Sequence, residues 1–245
     1  MPFIILSLIV QVAVVIHIIK TGRNTTWIWV VMLLPGAGSI AYLVLEVLPD
    51  LMGTRTARRA SRGVGKVINP NRDINASAQD YAMSDTVQNS VKLADECMGK
   101  GLYSEAKGLY EKALSGFYAD DPDIMFGLAR AQFALDEHSD AKTTLDALIE
   151  KNPDYKNQHA HLLFARTVEA LGDAVKALEE YEVLDGYFSG AEARYRYACF
   201  LQTQGQTEKA NSLFNDILDY ARTAGSHYRD LNREWLGRSK KALMT

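Results

Sequence analysis

The chain has 245 residues, 47% hydrophobic and 23% charged, with a formal net charge of −3 and two cysteines. That length suits one large domain or two small ones. Cys97 and Cys199 stand too far apart in sequence contexts too apolar to suggest a disulfide or metal framework, and the acidic balance argues against a nucleic-acid-binding domain.

The mean charge hides a partition. Residues 1–84 carry eight Lys/Arg against four Asp/Glu, net +4, whereas residues 85–245 carry 19 against 26, net −7. A basic, apolar front and an acidic, helix-rich back predict two different environments.

Residues 3–19, "FIILSLIVQVAVVIHII", and residues 27–48 form two apolar runs; the second holds one charge, Glu46. A span needs about 20 residues of helix and at least roughly 17, so both runs are predicted to cross a membrane. The start lacks the basic flank and the small-residue cleavage site of a secretory leader, so the first run is expected to be retained. The connection "KTGRNTT" predicts an antiparallel hairpin. Arg55, Arg58, Arg59, Arg62 and Lys66 follow the second run against Lys20 and Arg23 in the loop, which predicts both termini in the cytoplasm.

Gly36, Gly38 and Ala41 fit the dinucleotide fingerprint G-x-G-x-x-[G/A]. A nucleotide fold needs further strand–helix units beyond the glycine turn, and no strand-like run follows, so the match is read as coincidence. Pro35 is expected to kink the second run, with Gly36, Gly38 and Ser39 presenting a small surface for helix packing. Antiparallel pairing sets Gln11 level with Gly36, where its amide can reach backbone freed by the proline.

The run "TWIWVVMLLPGAGSIAYLVLEVLPD" resembles the N-terminal hairpin of cardiolipin synthases and related phospholipase D-type proteins. The resemblance covers about the first 50 residues and implies a bacterial inner membrane. Those enzymes use H-x-K-x-x-x-x-D, yet none of the five histidines has a lysine two residues later. The catalytic half is absent.

Residues 50–84 read as a basic juxtamembrane linker, rich in Gly, Arg, Ser and Asn, whose Arg55, Arg58, Arg59, Arg62 and Lys66 suit anionic lipid head groups. They serve equally as a topology signal. "NPNRD" predicts a turn.

Residues 85–225 align on themselves as four copies of one pattern. A small residue recurs at Ala94, Ala129, Ala165 and Ala198, at spacings of 35, 36 and 33, and again twelve residues later at Ala106, Ala141, Ala177 and Ala210. Large apolar residues follow at Tyr110, Leu145, Tyr181 and Phe214, and a further apolar set at Ala113, Leu148, Leu184 and Ile217, lining one helix face. Each copy is predicted to be a helix–turn–helix whose alanines let paired helices cross closely.

The pattern resembles the tetratricopeptide repeat, including the closing Pro153. Tyr118, Ser189 and Ala224 stand where proline would recur, and Asp136 replaces the turn glycine found as Gly101, Gly172 and Gly205. Residues 226–245 are predicted to form a capping helix with Tyr228, Leu231, Trp235 and Leu236 on its apolar side.

The expected architecture is therefore all-α: a hairpin over residues 1–49, the linker, an α-solenoid of about four repeats, and a cap. The repeat resemblance implies a groove lined by first helices. Its wall would present Val91, Asp95, Phe126, Arg130, Phe133, Leu162, Arg166, Glu169, Tyr195 and Cys199. Arg130 and Arg166, at equivalent places beside apolar anchors, suit an acidic group on a peptide or helix; alternatively they pair with the chain's own Asp123, Glu169 or Glu192.

His159 and His161 are two apart and point to different sides of a helix, so they do not form a metal pair. No catalytic constellation, cofactor or metal site is expected. The reading is a membrane-anchored, non-enzymatic adaptor recruiting a protein partner to the cytoplasmic face. Its alternative is an accessory of lipid or envelope metabolism whose hairpin binds a membrane enzyme through residues 35–39, the hairpin also offering a surface to another membrane protein or a second copy.

Overall fold

Proline is favoured at the first position of a helix, and α1 runs Pro2–Thr21. The second apolar run does not make one helix. It is divided into α2 (Thr26–Leu33), α3 (Ala37–Tyr42) and a π-helical turn, Leu43–Val47. Position 35 is a proline without an N–H, and Gly36 takes a φ of 81°, a left-handed conformation that interrupts the ladder.

The structure, a computed structural model, describes residues 2–21, 24, 26–34, 36–47 and 70–244. It falls into two units, Met1–Arg72 and Asp73–Thr245. In the first, Val14, Ile18, Val31 and Tyr42 form a small buried cluster. Among the described residues no helix is long and apolar enough to cross a membrane. The two expected spans, with both termini cytoplasmic at an inner membrane, are thereby overturned. The break between α2 and α3 is the physical reason for the second run, leaving helices of 8 and 6 residues where about 20 are needed.

The second unit opens earlier than expected. Residues 72–83, assigned to the linker, form helix α4 (Arg72–Met83), with Ser77 buried and Ile74 packed against the first repeat. Its apolar stripe of Ile74 and Tyr81 is thin among Asn, Ala, Ser and Gln, so composition reads as linker. Lys92 and Lys112 secure it by bonding Asp80 and the Tyr81 hydroxyl, each at 2.7 Å.

Four helix pairs follow: α5 (Val87–Gly99) with α6 (Tyr103–Ala113), and α7 (Pro122–Ala134) with α8 (His138–Lys151). Then come α9 (Gln158–Ala170) with α10 (Ala174–Tyr187), and α11 (Ala191–Thr203) with α12 (Thr207–Thr223). All eight aligned alanines are 0% exposed. A larger side chain at those crossings would hold the helices apart.

First helices end by a common device. The N–H groups of Leu102, Glu137, Asp173 and Gln206 bond back to the carbonyls of Cys97, Gln132, Val168 and Leu201, at 2.9–3.1 Å. This closure needs a left-handed residue just before the donor. Gly101, Gly172 and Gly205 supply it at φ 75°, 84° and 75°, and Asp136 supplies it at 60°.

The expected single cap helix is broken into α13 (Ser226–Leu231) and α14 (Arg233–Ala242). Leu231, placed on the apolar side by periodicity, is 70% exposed, whereas the adjoining Asn232 is buried. Asn232 Oδ1 accepts from the Ala191 N–H at 2.8 Å while its Nδ2 donates to the Tyr228 carbonyl at 2.9 Å. A polar anchor therefore sets the turn, and the helical phase restarts after it.

Candidate functional site

First helices contact one another, α5 with α7 and α7 with α9, and Tyr195 and Cys199 of α11 pack on the same core as α9, so their outward residues line one wall. Phe126, Phe133, Tyr195 and Cys199 are partly buried and packed on the core, and Val91 packs similarly at the first repeat. Leu162 departs from the expected row: it is buried within the core, whereas the aromatic residues at the matching positions 126 and 195 are only partly buried.

Asp95 accepts from the buried Tyr110 hydroxyl at 2.6 Å, and Glu169 from Tyr181 at 2.5 Å. Burial, then these carboxylates, push both phenols well above their ordinary range. The two acids thus anchor α5 to α6 and α9 to α10.

The Arg130 guanidinium lies over the Phe126 ring, 5.7 Å from its centroid, and Arg166 lies over Phe133 at 4.5 Å. Among the described residues neither has a carboxylate within ion-pair distance. The acids expected as their alternative partners are engaged elsewhere: Asp123 accepts from Tyr155 at 2.8 Å, Glu169 from Tyr181, and Glu192 from Arg196 at 2.8 Å. Burial first, and then the positive charge of Arg196, depress the Arg166 pKa, with Tyr181, Glu192 and Glu169 partly offsetting. A partly buried guanidinium with no direct counter-ion favours an arriving anion, since such contact recovers the desolvation cost.

Sequence columns missed the rest of this wall. Arg196 and Arg238 each lie 5.0 Å from the centroid of the Trp235 ring, which is 5.4 Å from Tyr195. The available signal was the four-residue spacing of Glu192 and Arg196 on one helix face. Cys97 is buried and Cys199 partly so, both free. Burial is the leading cause that raises both thiol pKa values.

In the first unit, Gln11 Nε2 donates to the Val31 carbonyl at 3.1 Å. In an unbroken helix that carbonyl would serve position 35, where proline has no N–H. Gly36 has open space, but a Cβ on Gly38 would stand 2.4 Å from the Val30 carbonyl oxygen. The close approach at Gly38 is therefore to this chain's own α2. Ser39 is buried, and its hydroxyl has no partner among the described residues. His17 Nδ1 shares a 3.0 Å hydrogen bond with the Tyr42 hydroxyl. Pro35, Arg55, Arg58, Arg59, Arg62 and Lys66 lie outside the described residues. Among the described residues no group of three or more His, Cys, Asp and Glu is placed to hold a metal ion.

A tetratricopeptide-repeat family model matches residues 98–166. Among solved structures the chain is similar to a thermophilic TPR protein of Thermus thermophilus, with TM-score 0.59 and 15% identity, covering 76% of this chain and 97% of that one. It is also similar to MamA, with TM-score 0.53 and 21% identity over 65% and 94% of the two chains. A MamA from Desulfovibrio magneticus RS-1 gives 0.55 and 13% over 69% and 95%. No curated protein matches the chain. At these identities the likeness shows the fold, an all-helical solenoid of tetratricopeptide type. The expected phospholipase D-type hairpin, and with it lipid and membrane partners, finds no support.

Proposed function

We propose that this protein is a non-enzymatic adaptor whose first-helix wall binds a protein partner through an acidic residue flanked by apolar ones. The observation that carries this reading is the pair Arg130 and Arg166, each seated on a phenylalanine ring and without an acid of its own among the described residues. A stacked guanidinium keeps its donor edges open, and a carboxylate accepts from that edge bidentately. Phe126, Phe133 and Tyr195 supply the apolar contacts, in the manner of an extended segment or an amphipathic helix laid in a groove.

Affinity purification of the full chain, followed by crosslinking at the wall, tests the reading. Arg130→Glu with Arg166→Glu should remove the captured partner and lower affinity for acidic-aliphatic peptides on an array by roughly 10- to 100-fold. Val175→Glu, on the exposed side of a second helix, should leave both unchanged. Capture and peptide preference that survive the double reversal would overturn the assignment.

A further inference from the structure

A second concavity lies away from the arginine wall. The junction between the second and third repeats holds a cleft of about 640 Å³. Leu145, Leu148 and Ile149 of α8 and Ala160 and Phe164 of α9 give it apolar walls. That volume is of the size that takes a small organic molecule, roughly 300–1,000 Å³.

Its rim is polar and already organised. Tyr155 donates to Asp123 at 2.8 Å, and Asn157 Nδ2 donates to Tyr155 at 2.8 Å while its Oδ1 caps α9. His161 is held between the Tyr187 hydroxyl, at 2.5 Å, and Glu180. The other Glu180 oxygen takes Lys176 at 2.7 Å, so both carboxylate oxygens are occupied. Lys156 is different: it is exposed, lines the same cleft, and has no acid or hydrogen-bond partner among the described residues.

The next junction gives the contrast. The space lined there by Tyr187, Phe188, Ala191 and Tyr228 is only about 260 Å³, and its cation, Arg194, is held by Asp185 at 2.5 Å. Apolar volume and a free cation occur together at one junction and not at its neighbour.

We infer that this cleft is a binding site for a small amphiphilic carboxylate, its apolar body against Leu145, Leu148 and Phe164 and its carboxylate on the Lys156 ammonium. A neutral amphiphile would lose the charged contact, and a cationic one would be repelled by Lys156. The prefolded rim lowers the ordering cost of binding.

Calorimetric titration of the full chain with dodecanoate, dodecanol and dodecylammonium tests the inference. Dodecanoate should bind at one site, about tenfold or more tighter than dodecanol, the margin of a charge-assisted contact. Lys156→Glu should abolish that margin and leave dodecanol binding in place, and Ile149→Glu, at a half-exposed wall position, should weaken both. Leu148→Trp, filling the cleft, should remove both while circular dichroism reports an intact fold. The inference fails if dodecanoate does not bind, if dodecylammonium binds as well, or if the Lys156→Glu protein keeps its preference for dodecanoate; the last result would place the amphiphile elsewhere on the chain.

Discussion

Asp136 holds a φ of 60° where the matching turns carry glycine at 75°, 84° and 75°. The left-handed region crowds the Cβ of any L-residue, and aspartate tolerates it better than most. Asp136→Gly should therefore raise stability by about 0.5–1 kcal/mol, read from the urea midpoint. The gain is smaller than the full steric cost because glycine also loses more freedom on folding; a fall in the midpoint would show that the weak 3.8 Å contact of Asp136 with His138 matters more than backbone strain. The same scale shows what alanine columns cannot. Gly127 is required because a Cβ there would stand 2.6 Å from the buried Tyr110 ring, a contact that couples the first repeat to the second.

Between elements, α9 and α10 are tied by Glu180, which receives Lys176 from its own helix and His161 from the preceding one. Burial works against its charge, yet the hydrogen bonds from Lys176 and His161 prevail and hold its pKa below the ordinary 4.5. A carboxyl with a depressed folded pKa stabilises above its unfolded pKa and loses that contribution as pH falls through the folded value. Glu180→Gln should therefore be less stable than the parent near neutrality, and the two denaturation midpoints should converge as pH falls below about 4.5. A constant difference down to about pH 3 would mean that the interaction is steric. At this scale the aligned repeats put Arg130 and Arg166 at equivalent places in adjacent repeats but did not reveal the rings beneath them, because a repeat column carries no information on how the next helix is rotated.

Across the repeat unit, stability is shared between neighbours, so the terminal faces need covers. α4 serves at the front, and α13 with α14 serve at the back, where Trp235 meets Tyr195 and Asn232 holds the Ala191 N–H. A chain ending at Ala224 should lose hydrogen-exchange protection in α11 and α12 first, with α7 and α8 protected to higher denaturant. Uniform loss across all four repeats would show that the array unfolds as one cooperative body. α4 escaped the sequence reading because a short cover needs only one apolar stripe, and Ile74 and Tyr81 among small polar residues resemble linker composition. The first unit failed for the opposite reason: hydropathy counts apolar residues whether or not the backbone through them stays helical.

The sequence by itself determined the repeat: eight alanines at fixed spacing, the large residues beside them, and the left-handed turns, because each feature is local and recurs with the period of one helix pair. The Asn232 turn, the stacking of Arg130 and Arg166 on phenylalanine, and the cleft beside Lys156 were decided only by tertiary structure. They depend on which side chain reaches a given backbone group or ring from another helix. That distance is set by packing, and no periodicity records it.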